Sequence, residues 1–176
     1  GSSHRLRKLA GLPPGGVDSK GLITNLTLTI NTKHDGPIDE LGQFLPQLAH
    51  LHLRSSSLAS IRDLGTSLAN LKVLNASRCG LKELDGIGAL TAMEELYLSF
   101  NDIWDLTPIA MHGHVQVLDL ESNCIDQTLQ LRQLASCAKL WSLTLTGNPI
   151  ERRHSNNLAA YRQAVCQNVP SLEALD

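Results

Sequence analysis

The chain has 176 residues, with 15 Lys plus Arg against 17 Asp plus Glu, a formal net charge of −2, 33 leucines and only six aromatic residues. Near-neutrality argues against a generally basic nucleic-acid binder, and no stretch reaches the roughly 18 apolar residues a membrane span needs. So much leucine beside so few aromatics points to a core built from one repeated apolar unit in a single domain of ordinary size.

In chain order, residues 1–20, with Pro13-Pro14-Gly15-Gly16, read as a mostly irregular segment that lacks the apolar core of a signal peptide. Gly1-Ser2 reads as a cloning remnant, so the chain is expected to be a piece of a longer protein. Leu22 to Ile30 then alternates as a strand. From there a Leu-x-Leu pair or a close variant recurs at Leu26-Leu28, Leu51-Leu53, Leu74-Ala76, Leu96-Leu98, Leu118-Leu120 and Leu143-Leu145, at intervals of 25, 23, 22, 22 and 25 residues. Three residues after each pair stands a small polar side chain: Asn31, Ser56, Cys79, Asn101, Asn123 and Asn148. From the second repeat on, an aliphatic follows two residues later, at Leu58, Leu81, Ile103, Ile125 and Ile150.

Several columns agreeing at this period make the leucine-rich-repeat pattern. The fold class it predicts is an α/β solenoid with a concave parallel β-sheet and short helical turns on the convex side over residues 21–154. A helical cap closes it over 155–176. Side chains alternate faces along a short strand, so Leu96 and Leu98 point inward while Tyr97 and Ser99 point outward. The polar residue after each pair is expected to bond buried backbone groups of the turn and, repeated, to form a ladder. A 22-residue period leaves room outside only for short turns such as Ile61–Leu64 and Ile87–Leu90. Three extra residues between Asp126 and Lys139 predict a longer outer helix. In the cap, Leu158, Tyr161, Val165 and Val169 recur at helical spacing up to Pro170, and Leu172 and Leu175 continue in an extended tail.

The outward columns follow from the alternation. They read His50, Val73, Glu95, Val117, Ser142; then His52, Asn75, Tyr97, Asp119, Thr144; then Arg54, Ser77, Ser99, Glu121, Thr146; and at the strand ends Ser55, Arg78, Phe100, Ser122, Gly147. Tyr97 and Phe100 sit centrally among Glu95, Asp119 and Glu121, the composition of a protein-binding hot spot. Charge is segregated as well. Residues 1–82 hold ten Lys or Arg against five carboxylates, and residues 83–131 hold nine carboxylates and no Lys or Arg. An acidic middle beside a more basic part with Arg54 and Arg78 would steer a basic partner surface and repel nucleic acid. Trp104 stands where other repeats have small or polar residues, and offers a second contact or folds over its neighbour. Trp141 is assigned to the C-terminal packing.

Catalysis finds no support: there is no Gly-x-Ser-x-Gly elbow and no Gly-x-x-x-x-Gly-Lys loop. His50 and His52, and again His112 and His114, are close pairs without an evident third ligand, so no metal site is expected, nor a cofactor or small-molecule substrate. Cys79, Cys124, Cys137 and Cys166 form no Cys-x-x-Cys pair. That usage fits free thiols in a reducing compartment, where the two Asn-x-Ser/Thr sequons at Asn25 and Asn75 carry no meaning.

The repeat length resembles the cytoplasmic 22-residue class found in phosphatase regulatory subunits, the spliceosomal A-prime protein and the axonemal dynein light chain. Particular strings go further: Ser-Ile-Arg-Asp-Leu-Gly at 60–65 continuing into Thr66-Ser67-Leu68, Ala76-Ser77-Arg78-Cys79-Gly80-Leu81, Asp85-Gly86-Ile87, Glu95-Leu96-Tyr97 with Ser99-Phe100-Asn101, and Val117-Leu118-Asp119-Leu120-Glu121-Ser122-Asn123. Over roughly residues 20–176 these resemble the leucine-rich repeat-containing protein 56 family. The resemblance implies a cytoplasmic and ciliary or flagellar adaptor, bound to outer dynein arm or intraflagellar transport components and serving dynein-arm assembly. It brings no residue-level binding map; Tyr97, Phe100, Asp119, Glu121, Glu95, Arg54, Arg78 and Trp104 come from the columns. A dynein light-chain-like subunit, a phosphatase regulatory module and, last, a spliceosomal module are the alternatives.

Overall fold

A computed structural model describes residues 2–11 and 22–176. Its framework is one open, seven-stranded, all-parallel sheet in sequential order. After helix α1 (Ser2–Leu9), strand β1 (Asn25–Leu28) leads through the single turns α2 (Thr32–Asp35) and α3 (Leu41–Phe44) to β2 (His50–Leu53). Strands β3 (Val73–Asn75), β4 (Glu95–Tyr97) and β5 (Val117–Asp119) follow. Then come α4 (Thr128–Leu131), β6 (Ser142–Thr144), α5 (Pro149–Arg153), α6 (Leu158–Asn168) and β7 (Ala174–Leu175).

One leucine from each strand is in register with the next: Leu26, Leu51, Leu74, Leu96, Leu118, Leu143 and Leu175 run straight across the sheet. All seven are buried. The extended tail around Leu175 is therefore a seventh strand. Behind the row the chain returns through 3-10 turns at Ile61–Leu64, Ile87–Ala89, Thr107–Met111 and Arg132–Ser136. The tighter i→i+3 winding fits where a 22-residue period cannot hold an α-helix. At the first of these turns, Ser60 Oγ accepts from Arg62 N–H while Asp63 accepts from Ser60 N–H, closing a capping box. The three extra residues after Asp126 make not one long helix but α4 running directly into a 3-10 turn. Gly42 allows α3 to lie against the next repeat, since a Cβ there would stand 2.2 Å from the Ser67 carbonyl oxygen.

The polar ladder forms, with Asn as its strongest rung. Asn101 Oδ1 accepts from Cys79 and Leu81 N–H, and its amide donates to Ala76 and Leu98 carbonyls. Asn123 and Asn148 repeat the arrangement one and two repeats later. Ser56 and Cys79 fill the same column with shorter side chains. Asn31 does not join it. Its side chain is exposed and caps α2 by accepting from His34 N–H; among the described residues no strand precedes β1 to receive its amide.

The front end departs from the sequence reading. Instead of an irregular segment, Ser2–Leu9 is helical. Leu6 is buried, Arg5 donates to the Gly36 carbonyl at 3.1 Å, and Arg7 lies over the Phe44 ring at 6.0 Å. Helix α1 thus covers leucines and carbonyls that the first repeat alone leaves open, which local composition does not reveal. The Pro13-Pro14-Gly15-Gly16 stretch lies outside the described residues. At the back end, Asn157 caps α6 and Tyr161 and Val165 bury against the last repeat. Tyr161 donates to the Asp176 carboxylate, which also accepts from Thr146 and Leu145 N–H.

Candidate protein-binding face

The strands set the outward columns in the register the sequence predicts: His50, Val73, Glu95, Val117 and Ser142 pair in turn, as do His52, Asn75, Tyr97, Asp119 and Thr144. All ten are partly exposed between the buried leucines. One member of the next column differs from expectation. Ser99 is buried, and its hydroxyl donates to Ser77 Oγ at 3.0 Å.

Tyr97 and Glu95 form one unit, the phenol donating to Glu95 Oε2 at 2.7 Å. Burial first, then that hydrogen bond and the charges of Glu95 and Asp119, push the Tyr97 hydroxyl up to about 12. It therefore stays a neutral donor. Asp119 uses one oxygen to accept from Glu121 N–H, the local turn that Asn75 makes with Ser77 N–H two column positions earlier. Its second oxygen and the Glu121 carboxylate remain at the surface, so this quarter of the face is acidic.

At the strand ends the whole last column, Ser55, Arg78, Phe100, Ser122 and Gly147, has left-handed backbone, with φ between 46° and 78°. That conformation normally favours glycine, yet only Gly147 is one. It sets Phe100 beside Arg78 rather than beside Tyr97: the Arg78 guanidinium lies 3.8 Å from the Phe100 ring centroid. Arg78 and Arg54 then line a cleft of about 590 Å³ together with His52, Ser55, Asn75 and Ser77. The structure thus divides the predicted cluster in two, with Glu95, Tyr97, Asp119 and Glu121 on β4 and β5, and Arg54, Arg78 and Phe100 beside them.

Trp104 joins neither group. It is 57% exposed and lines a separate pocket of about 260 Å³ with Glu83, Asp85, Asp105 and Pro108. Trp141 meets the cap through its backbone, its carbonyl accepting from Glu173 and Ala174 N–H, while its ring stays 43% exposed. Sequence reasoning missed the Arg78–Phe100 stack and the exposed side chains of Met111 and Leu129. The stack has a signal in the 22-residue spacing, which makes positions 78 and 100 neighbours. Met111 and Leu129 lie in turns with no such column. Among the described residues no group of three or more His, Cys, Asp and Glu is placed to hold a metal ion. His112 is buried against the Ile87 carbonyl at 2.8 Å and His114 is exposed, so that pair does not converge.

A stack of short parallel strands, a polar ladder behind them and a convex wall of 3-10 turns define a leucine-rich repeat protein. A leucine rich repeat model matches residues 91–150, and a two-copy model matches residues 69–110. The chain belongs to the leucine-rich repeat-containing protein 56 family. It is 41% identical to the Homo sapiens leucine-rich repeat-containing protein 56 over 99% of this chain and 32% of that protein. It is 34% identical to the Trypanosoma brucei brucei homolog over 79% of this chain and 21% of that one. The chain therefore spans about a third or less of the length of these relatives. An internalin of Listeria monocytogenes has the same fold at a TM-score of 0.59 with 15% identity, over 76% of this chain and 36% of that one. Repeats of this class are typically protein-interaction modules.

Proposed function

We propose that this chain is a non-enzymatic, protein-binding adaptor for assembly or intraflagellar transport of outer dynein arms, working in the cytoplasm and the motile cilium or flagellum. The observation that carries it is the 41% identity to the human family member along the whole chain. The ciliary role is the one the family resemblance implies. The concave face supports the adaptor reading, because it presents an aromatic–carboxylate cluster beside an arginine cleft in a repeat class typically used for protein contact. Tyr97, Glu95, Phe100, Asp119, Glu121, Arg54 and Arg78 are its contact residues, with Trp104 a separate contact on the adjoining loop.

The test is affinity purification from the cytoplasm of flagellated cells before axoneme assembly. Wild type is compared with a folded Tyr97→Ala, Asp119→Asn, Glu121→Arg variant. Dynein-arm or transport subunits recovered by wild type and lost with the variant are the expected result. Recovery of a phosphatase or of splicing factors instead overturns the assignment.

A further inference from the structure

The concave face carries two groups of opposite charge that the chain leaves unpaired. Four ion pairs occur among the described residues: His34–Asp35, Arg62–Asp85, Lys72–Glu94 and Arg153–Asp126. None involves Arg54, Arg78, Asp119 or Glu121. The cleft holding Arg54 and Arg78 has His52, Asn75 and Ser77 in its walls and no carboxylate among its described lining.

Arg78 is prepared for an anion. Its guanidinium lies at 3.8 Å over Phe100, which fixes one face and leaves the N–H edge without a hydrogen bond. A stacked guanidinium with a free edge is the geometry for in-plane, two-pronged contact with a carboxylate. On the other side, Asp119 spends one oxygen on Glu121 N–H and keeps the second, and Glu121 keeps both. Neighbouring strands lie about 4.8 Å apart. The two strand steps from β3 to β5 are therefore about 10 Å, and the three from β2 about 14 Å. An extended peptide advances about 3.3 Å per residue, so three to four residues cover the gap.

From this spacing we propose that the concave face recognises charge order in an extended segment of its partner. A cluster of Asp or Glu seats on Arg54 and Arg78, and a cluster of Lys or Arg some three to four residues away seats on Asp119 and Glu121. The Tyr97–Glu95 unit lies under the spacer between them. The proposal rests on the protein-binding reading of this face and specifies the chemistry of what it binds. Complementary charges set both partner choice and register.

Fluorescence anisotropy on this chain tests it with three labelled synthetic peptides of equal length. The first has an Asp/Glu block, a Gly-Ser spacer and a Lys/Arg block; the second has the same residues with charges alternating; the third is uniformly acidic. The expected result is that the blocked peptide binds about tenfold tighter than either other, since several exposed pairs act together. That advantage shrinks as salt shortens the screening length. Two neutral double variants, Arg54→Gln with Arg78→Gln and Asp119→Asn with Glu121→Gln, each remove it. Asn at 119 keeps the backbone bond, as Asn75 does, and unchanged thermal unfolding verifies both folds. Equal binding of the three peptides, or a blocked-peptide preference that survives either variant, overturns the proposal. If the peptides bind equally while the cellular purification still depends on the concave face, charge order fails and the adaptor reading stands. A blocked-peptide preference without dynein-arm recovery supports charge order and removes the ciliary assignment.

Discussion

The guanidinium of Arg78 lies 3.8 Å from the ring centroid of Phe100, one repeat further along the sheet. Each residue stands at a left-handed backbone position, φ 56° and 57°, so the two side chains leave the strand ends side by side. The contact is a cation over an aromatic face, with both residues exposed. A double-mutant cycle of Arg78→Ala and Phe100→Ala, read by urea unfolding, is expected to give a coupling of about 0.5–1 kcal/mol. Arg78→Lys should retain less than half of it, because an ammonium cannot stack flat.

The left-handed column makes a prediction of opposite sign at its two ends. Gly147 has φ 78°, and a Cβ there would meet Ser122 Oγ at 2.6 Å. Gly147→Ala is expected to destabilise by roughly 1–2 kcal/mol in denaturant titration. Ser55, exposed at φ 46°, bears the same backbone strain without need of its side chain. Ser55→Gly is expected to stabilise slightly, by about 0.5 kcal/mol after the extra freedom of glycine in the unfolded chain is counted.

Rungs of the ladder are unequal, and unfolding should rank them. Asn123 is buried, accepts from Ile103 N–H and donates to the Leu98 and Leu120 carbonyls. Removing it leaves three buried backbone groups without that partner, so Asn123→Ala should cost about 2–4 kcal/mol. Ser56→Ala removes a weaker rung and should cost about 1 kcal/mol. A smaller loss at Asn123 than at Ser56 would contradict this account.

The repeat frame was legible because one apolar period fixes both strand position and facing, so the columns holding Tyr97, Asp119 and Arg54 could be written before any fold was known. Three features escaped. Helix α1 depends on Leu6 meeting a surface made by residues 36–44, a contact between segments that no local pattern encodes. Ser99 stays in the outward column but is buried there, its hydroxyl bonded to its column neighbour Ser77, a side-chain pairing that face alternation does not specify. The left-handed column stayed hidden because Ser, Arg and Phe occupy it where glycine would have signalled it.

Acid should weaken the fold through His112. Burial, reinforced by the neighbouring His114 charge and opposed by the Ile87 carbonyl, holds its ring below the ordinary histidine range. The folded imidazole stays neutral while the unfolded one takes a proton below about pH 6.5. Stability from this group is thus full above that pH and falls as the pH drops towards the depressed folded value. The thermal midpoint should begin to decline below about pH 6.5 and go on falling towards the depressed folded value. In a folded His112→Gln variant that part of the decline should vanish.

Thiol chemistry should separate the four cysteines. Burial pushes Cys79 and Cys137 up to about 11, whereas Cys124 and Cys166 are exposed. Iodoacetamide at about pH 8 should label Cys124 and Cys166 in the folded chain and reach the other two only in denaturant. Mass spectrometry of the labelled peptides reads the difference. Above pH 9 the unfolded thiols ionise while the buried ones do not, so stability should fall as the pH rises.

The graded ladder also makes the solenoid a spring of uneven stiffness. Asn101, Asn123 and Asn148 each fasten two successive turns. Towards the N-terminus, Ser56 reaches its partners at 3.0–3.4 Å, and Cys79 Sγ stands 3.8 Å from the Leu53 carbonyl. The arginine cleft therefore rides on the compliant half and the carboxylate pair on the rigid one. A partner that pulled on a segment gripped at both places would stretch the basic end first, while the acidic end kept its shape under load.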